Sequence, residues 1–235
     1  MKIHGTAKGG ALSKKDFGVA FSGAAALPDP DFEDCFTANN WTEADDNYIT
    51  VNTTDERIDY NIQREASNDK AYRSLGYTAD NGAWVWRFPD EMLTQSAGTG
   101  SAPHLYVNIS SSTGGSETNQ DYIGFMYNIP AGYQSNFGDD RTLRQSNGTS
   151  FTKLVLDTVY YFEIIRTSTT NFTVEVFENS NFTSSFTSTD DDIDSTIQSL
   201  QYLSVANLAL SGGTSEDSTG RIPACMKHWD GVTSL

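Results

Sequence analysis

The strongest constraint in this chain is an alternation of apolar and polar residues with a period of two. TVYYFEIIR (158–166) and NFTVEVFE (171–178) both show it, and the tract STTN between them supplies turn-forming side chains. Successive side chains of a strand point to opposite faces, so one face of this hairpin collects Phe162, Ile164, Phe172, Val174 and Val176. Tyr161, Glu163, Ile165, Thr173, Glu175 and Phe177 then face outward. Two glutamates on one outer face are expected to be solvated rather than directly opposed, because like charges across a ladder repel.

The same pattern recurs along the chain. RIDYNIQ (57–63) puts Ile58, Tyr60 and Ile62 on one face, and HLYVNIS (104–110) does the same with Leu105, Val107 and Ile109. AWVWRF (83–88) places Trp84, Trp86 and Phe88 on one side and Val85 and Arg87 on the other, so both tryptophans are expected in the core. YITV, DYIGFMY, LQYLSVANLAL and GRIPACMKHW are further strand-like runs. Helical periodicity is confined to FPDEMLTQ (88–95) and DDIDSTIQSL (191–200), each long enough for one or two turns. About ten strands with no helices between them predict an all-β fold: an antiparallel β-sandwich or jelly roll.

Charge is unevenly placed. Of 235 residues, 15 are basic and 31 acidic, a net charge of −16. Residues 1–30 hold Lys2, Lys8, Lys14 and Lys15 against Asp16 and Asp29, a balance of +2, which leaves −18 on the remainder. LPDPD (27–31) forces extended backbone before each proline, and the division is placed there: a basic Gly/Ala-rich extended N-terminal arm over 1–30 and a body over 31–235. The arm is either a flexible tail or a segment that docks on an acidic neighbour of the same kind. An acidic body repels nucleic acid and anionic membranes, and no apolar run reaches 18 residues, so neither nucleic-acid binding nor membrane insertion is expected. The N-terminus makes a poor secretion signal, which predicts export by another route or assembly inside the producing cell.

Reactive centres are hard to build from these residues. His4, His104 and His228 lie in unrelated segments without a nucleophile elbow, and the two cysteines match no zinc spacing. Cys35 and Cys225 are either two free buried thiols or one disulfide between the ends of the body. No metal ligands are assigned; calcium is the one cofactor left open, with Asp190–Asp194 the first place to look. Glu163 and Glu175 are the best pair for glycoside hydrolysis, but nothing around them suggests a pocket. Sugar recognition instead uses aromatic rings with amides and charged groups, and the exposed candidates are Arg87, Tyr122, Tyr127, Tyr133 and Tyr161. Acceptor sequons occur at Asn40, Asn52, Asn108, Asn147, Asn171 and Asn181.

The succession NNWTEADDNYITVNTTDERIDYNI, GAWVWRF, NQDYIGFMY, TVYYFEIIRTSTTNFTVEVFENSNFT, LQYLSVAN and HWDGVTS resembles concanavalin A-like lectin/glucanase sandwiches. It is similar in particular to laminin G-like domains in surface and virion proteins of marine microbes and their viruses. The resemblance spans about residues 31–235. It implies two curved antiparallel sheets of about six strands each, with first and last strands adjacent, which would bring Cys35 and Cys225 together. The Glu-x-Asp-x-Glu strand of the glycan-hydrolysing members is missing, and Pro223, Ala224 and Cys225 stand where related domains carry acidic residues. The expected function is therefore non-enzymatic: a lectin-like surface domain for glycan recognition or adhesion on the exterior of a virion or cell. The alternative is a structural capsid or surface-lattice subunit, a homo-oligomer whose arm docks on neighbouring copies. A glycan hydrolase is the least favoured.

Overall fold

The computed structural model describes residues 27–44, 48–63, 69–95, 104–113, 121–128, 132–139, 142–145, 155–208 and 217–235. Among them the chain forms strands β1 (Phe32–Asp34), β2 (Thr42–Glu43), β3 (Ile49–Asn52), β4 (Arg57–Gln63), β5 (Lys70–Ser74), β6 (Trp84–Gln95), β7 (His104–Ser110) and β8 (Tyr122–Asn128). These are followed by β9 (Gly132–Asp139), β10 (Thr142–Gln145), β11 (Thr158–Ser168), β12 (Asn171–Phe177), β13 (Ser185–Asp192), β14 (Tyr202–Leu208), β15 (Asp217–Ile222) and β16 (Met226–Asp230). No helix among the described residues is long and apolar enough to cross a membrane.

Two antiparallel sheets face each other, larger than the six strands apiece implied by the resemblance. The first has nine strands, in the order β13-β12-β11-β6-β15-β4-β3, with β16 also on β6 and β1 on β16. The second has seven, in the order β10-β9-β8-β7-β14-β5-β2. The long strand β6 organises the first sheet. It pairs with β11 along one side and with β16, then β15, along the other.

The segment 88–95, expected to offer a helical turn, is therefore strand. Ladders on both sides of β6 satisfy its backbone, which outweighs the local pattern. Pro89, which cannot donate to a ladder, lies opposite the break between β15 and β16, between the stretches of β6 paired to each. The stretch 191–200 is likewise not helical. Its first two residues end β13, and the rest is a loop that pushes Ile193, Ile197 and Leu200 into the core. The buried guanidinium of Arg166 holds that loop, donating to the carbonyls of Ser168, Thr169 and Ile197.

The core follows the period-two pattern. Trp84, Trp86, Phe88, Phe162 and Ile164 from the nine-stranded sheet meet Leu105, Val107, Ile123, Phe125 and Val205 from the other. At the centre Phe125 stacks on Phe162 at 4.6 Å and on Phe88 at 5.4 Å, and Trp86 adds to the pile at 4.5 Å from Phe88. Gly220 keeps a crossing open: a Cβ there would lie 2.2 Å from the Tyr60 hydroxyl, which reaches past it to donate to Asp90. Cys35 and Cys225 form a disulfide that ties the end of β1 to the loop before β16.

His228 is a titrating group of this interior whose effect has a definite pH window. Nδ1 lies 2.9 Å from the Tyr77 hydroxyl, and burial lowers the imidazole pKa to about 4 against the opposing pull of Asp31. The unfolded chain binds this proton near pH 6.5 and the folded chain does not, so stability falls between roughly pH 6.5 and pH 4, at about 1.4 kcal/mol per unit. Denaturant titrations of wild type and His228→Asn at pH 7 and pH 4.5 measure this directly. The variant keeps an acceptor for Tyr77 but cannot take the proton, so its loss of stability on acidification should be smaller by about 2 kcal/mol.

Candidate functional site

The outward side chains of five adjacent strands form a ladder of charge across the nine-stranded sheet. Glu175 on β12 is opposite Glu163 on β11, Glu163 is opposite Arg87 on β6, Arg87 is opposite Lys227 on β16, and Lys227 is opposite Glu33 on β1. The expectation that Glu163 and Glu175 avoid direct opposition is thus incorrect. The third strand resolves their repulsion: Arg87 Nε donates to Glu163 Oε2 at 2.5 Å, and Lys227 pairs with Glu33 at 2.8 Å. Glu163 is only 6% exposed. Burial pushes its carboxyl pKa up, Arg87 pulls it down, and Glu175 adds to the rise.

Aromatic rings stand over this ladder. The Arg87 guanidinium lies 4.0 Å from the centre of the Phe182 ring and 5.8 Å from that of Trp229. Trp229 is fixed by its indole N–H, which donates to the Pro28 carbonyl at 2.9 Å. Phe182 reaches the sheet from the β12–β13 loop through a turn in which its own N–H bonds the Asn179 carbonyl. Its φ of 54° is a left-handed conformation that costs a non-glycine residue free energy and persists only where the surroundings impose it. Phe177 and Tyr161 support the ring edge-on at 5.2 and 6.0 Å. Arg87, Tyr161, Phe182 and Trp229, with segment 27–30, Asn181 and Cys225, line a groove of about 530 Å³.

Of the residues expected to meet a sugar, the structure brings Arg87 and Tyr161 to this groove. Arg87 is not the exposed donor expected from its strand position: its side chain is 11% exposed, held below Phe182 and against Glu163. Tyr122 needs a larger correction. It faces away from the core on the seven-stranded sheet, but that face is itself buried, together with Tyr106, Asn108 and Ser204, and Tyr122 is 1% exposed. The side chains of Tyr127 and Tyr133, and the lysines of 1–30, lie outside the described residues. Trp229, Lys227 and Phe182 were not singled out. Alternation in MKHWD could have placed the first two outward, whereas Phe182 sits in a turn that no periodicity marks.

In the acidic stretch Asp190–Asp194 the Asp191 side chain lies outside the described residues, and Asp190 and Asp194 are engaged locally. Asp190 accepts from the Thr173 hydroxyl at 2.5 Å and Asp194 from Thr196, and no third ligating group converges with them among the described residues. Glu33 does lie with Cys35 and Cys225, but the two sulfurs are bonded to each other. Among the sequons, Asn40 and Asn181 are exposed and Asn108 is buried.

No family model matches the chain and no curated protein matches its sequence. Solved structures do share its fold. The exoplasmic/lumenal domain of VIP36 in its Ca2+/Man3GlcNAc-bound form is 10% identical, with a TM-score of 0.53 over 87% of this chain and 91% of that one. The Ca2+/Man-bound form of the same domain gives a TM-score of 0.51 at 9% identity, covering 83% and 85%. The carbohydrate recognition domain of Emp46p gives 0.50 at 12% identity, covering 82% and 89%. The chain is thus an all-β, concanavalin A-like sandwich.

Proposed function

We propose that this protein is a non-catalytic glycan-recognition module that works on an exterior surface and holds saccharide in the groove over β6 and β16. The carrying observation is the convergence of the half-buried Phe182 and Tyr161, with the buried Trp229 behind them, around one concavity of about 530 Å³. Rings of this kind stack on the apolar faces of pyranoses, while Asn181 and the groove backbone are placed to meet hydroxyls. The carbohydrate recognition domains that share the fold support the same reading. The disulfide suits an oxidising, extracellular setting. Hydrolysis needs two carboxyls free to exchange protons with a bound sugar; Glu163 is committed to Arg87, and neither it nor Glu175 lines the groove.

Calorimetric titration with oligosaccharides tests the reading. Phe182→Ala, at a half-buried loop position, should weaken binding by about tenfold, the upper range for one stacked ring. Tyr202→Ala, on the seven-stranded sheet, should leave it unchanged. Loss of binding in the Tyr202 variant but not in the Phe182 variant would move the site to the other sheet and end this proposal.

A further inference from the structure

We infer that the groove selects uncharged saccharides, and that Glu163 sets this choice by neutralising Arg87; the inference rests on the glycan reading above. An arginine at the floor of an open groove would ordinarily take a uronate carboxylate or a sulfate through paired hydrogen bonds. Here its charge is already met by a carboxylate on the neighbouring strand. Arg87 Nε donates to Glu163 at 2.5 Å, and the Phe182 ring lies over the guanidinium at 4.0 Å. The second cation, Lys227, is paired with Glu33 at 2.8 Å. Asp29 adds a carboxylate at the lip, and Glu175 stands next to Glu163 on the adjoining strand. Two cations thus face four carboxylates, on a chain whose net charge is −16.

An anionic ligand therefore meets a surplus of like charge. To pair with Arg87 it must pass the Phe182 ring and compete with Glu163, and drawing the guanidinium away would leave that buried carboxylate unpaired, which is costly. An uncharged pyranose has neither difficulty. Its C–H face needs only the half-buried rings of Phe182 and Tyr161, backed by the buried Trp229, and its hydroxyls can bond to neutral groups such as Asn181 and Ser180.

The test uses the full oxidised chain and three sets of probes: uncharged hexaoses of gluco, manno and galacto configuration, uronate hexamers, and sulfated galactan oligomers. Binding of at least one uncharged hexaose, with the anionic sets weaker, is the expected result. Uronate or sulfated probes that bind as well or better overturn the charge selection while the glycan reading stands. Binding by none of the three sets overturns both. Glu163→Gln releases Arg87 from a charged partner, and the uronate hexamers should then bind about tenfold more tightly than to wild type, with an affinity that falls as salt rises. Glu33→Gln, at an exposed pair, is the second variant and should give a smaller gain through Lys227. No gain in either variant removes Glu163 from the role assigned to it.

Discussion

Phe125→Ala is expected to lower the free energy of unfolding by about 3–5 kcal/mol, the range for deleting a fully buried ring. Phe125 is the contribution of the seven-stranded sheet to a stack otherwise made by the nine-stranded one. It lies nearly parallel to Phe162, at 10° and 4.6 Å, and to Phe88, at 12° and 5.4 Å. The other two rings also stack on each other, 5.5 Å apart. Removing this ring leaves a void between two sheets whose backbones are fixed by ladders on both sides, so the cavity cannot readily close. Urea denaturation of wild type and variant, read by tryptophan fluorescence and by circular dichroism, measures the difference. A loss below about 1 kcal/mol, well under the cost of such a cavity, would mean that the sheets do not meet through these rings.

Loss of the Cys35–Cys225 bond should cost nearly as much. The two residues are 190 apart in sequence, so the bond closes most of the body into one loop. The chain-entropy relation puts a ceiling of about 5 kcal/mol on such a closure, and removal of native disulfides typically costs about 2–5 kcal/mol. The effect should concentrate at one place. β1 has three residues and, among the described residues, pairs only with β16, so its covalent tether is a large share of what holds it. Reductant should lower the melting temperature of wild type by roughly 5–10 °C. It should leave a Cys35→Ala/Cys225→Ala double variant unaffected, and amide exchange should rise first at Phe32–Asp34. A melting curve that reductant does not move would show that the ends are held by packing alone.

Much of this architecture was legible as period-two alternation. The inward set Phe162, Ile164, Phe172, Val174 and Val176 and the core placement of Trp84 and Trp86 follow from which side of a strand each residue occupies. What alternation does not carry is the identity of the partner across the ladder. Whether Glu163 opposes Glu175 depends on the turn at 168–171 and its register shift, and the reason the opposition is tolerated lies on β6, some 75 residues upstream. Tyr122 illustrates a second limit. Parity gives its side of the sheet, but not whether that side is open. The run 193–200 shows a third: apolar residues at Ile193, Ile197 and Leu200 have helix-like spacing, yet they plug the sandwich from a loop that Arg166 pins through its carbonyl contacts. Phe182 was invisible because its place depends on a single left-handed turn.

Nuclear magnetic resonance of the tryptophan side chains tests the central claim most directly. The chain has four tryptophans, Trp41, Trp84, Trp86 and Trp229, and hence four indole N–H signals. Titration with a binding oligosaccharide should shift the signal of Trp229, which is buried but borders the groove, and leave those of Trp84 and Trp86, buried between the sheets, in place. A saccharide that binds yet moves only Trp41, or none of the four, would contradict a groove built on Trp229, Phe182 and the charge ladder beneath them.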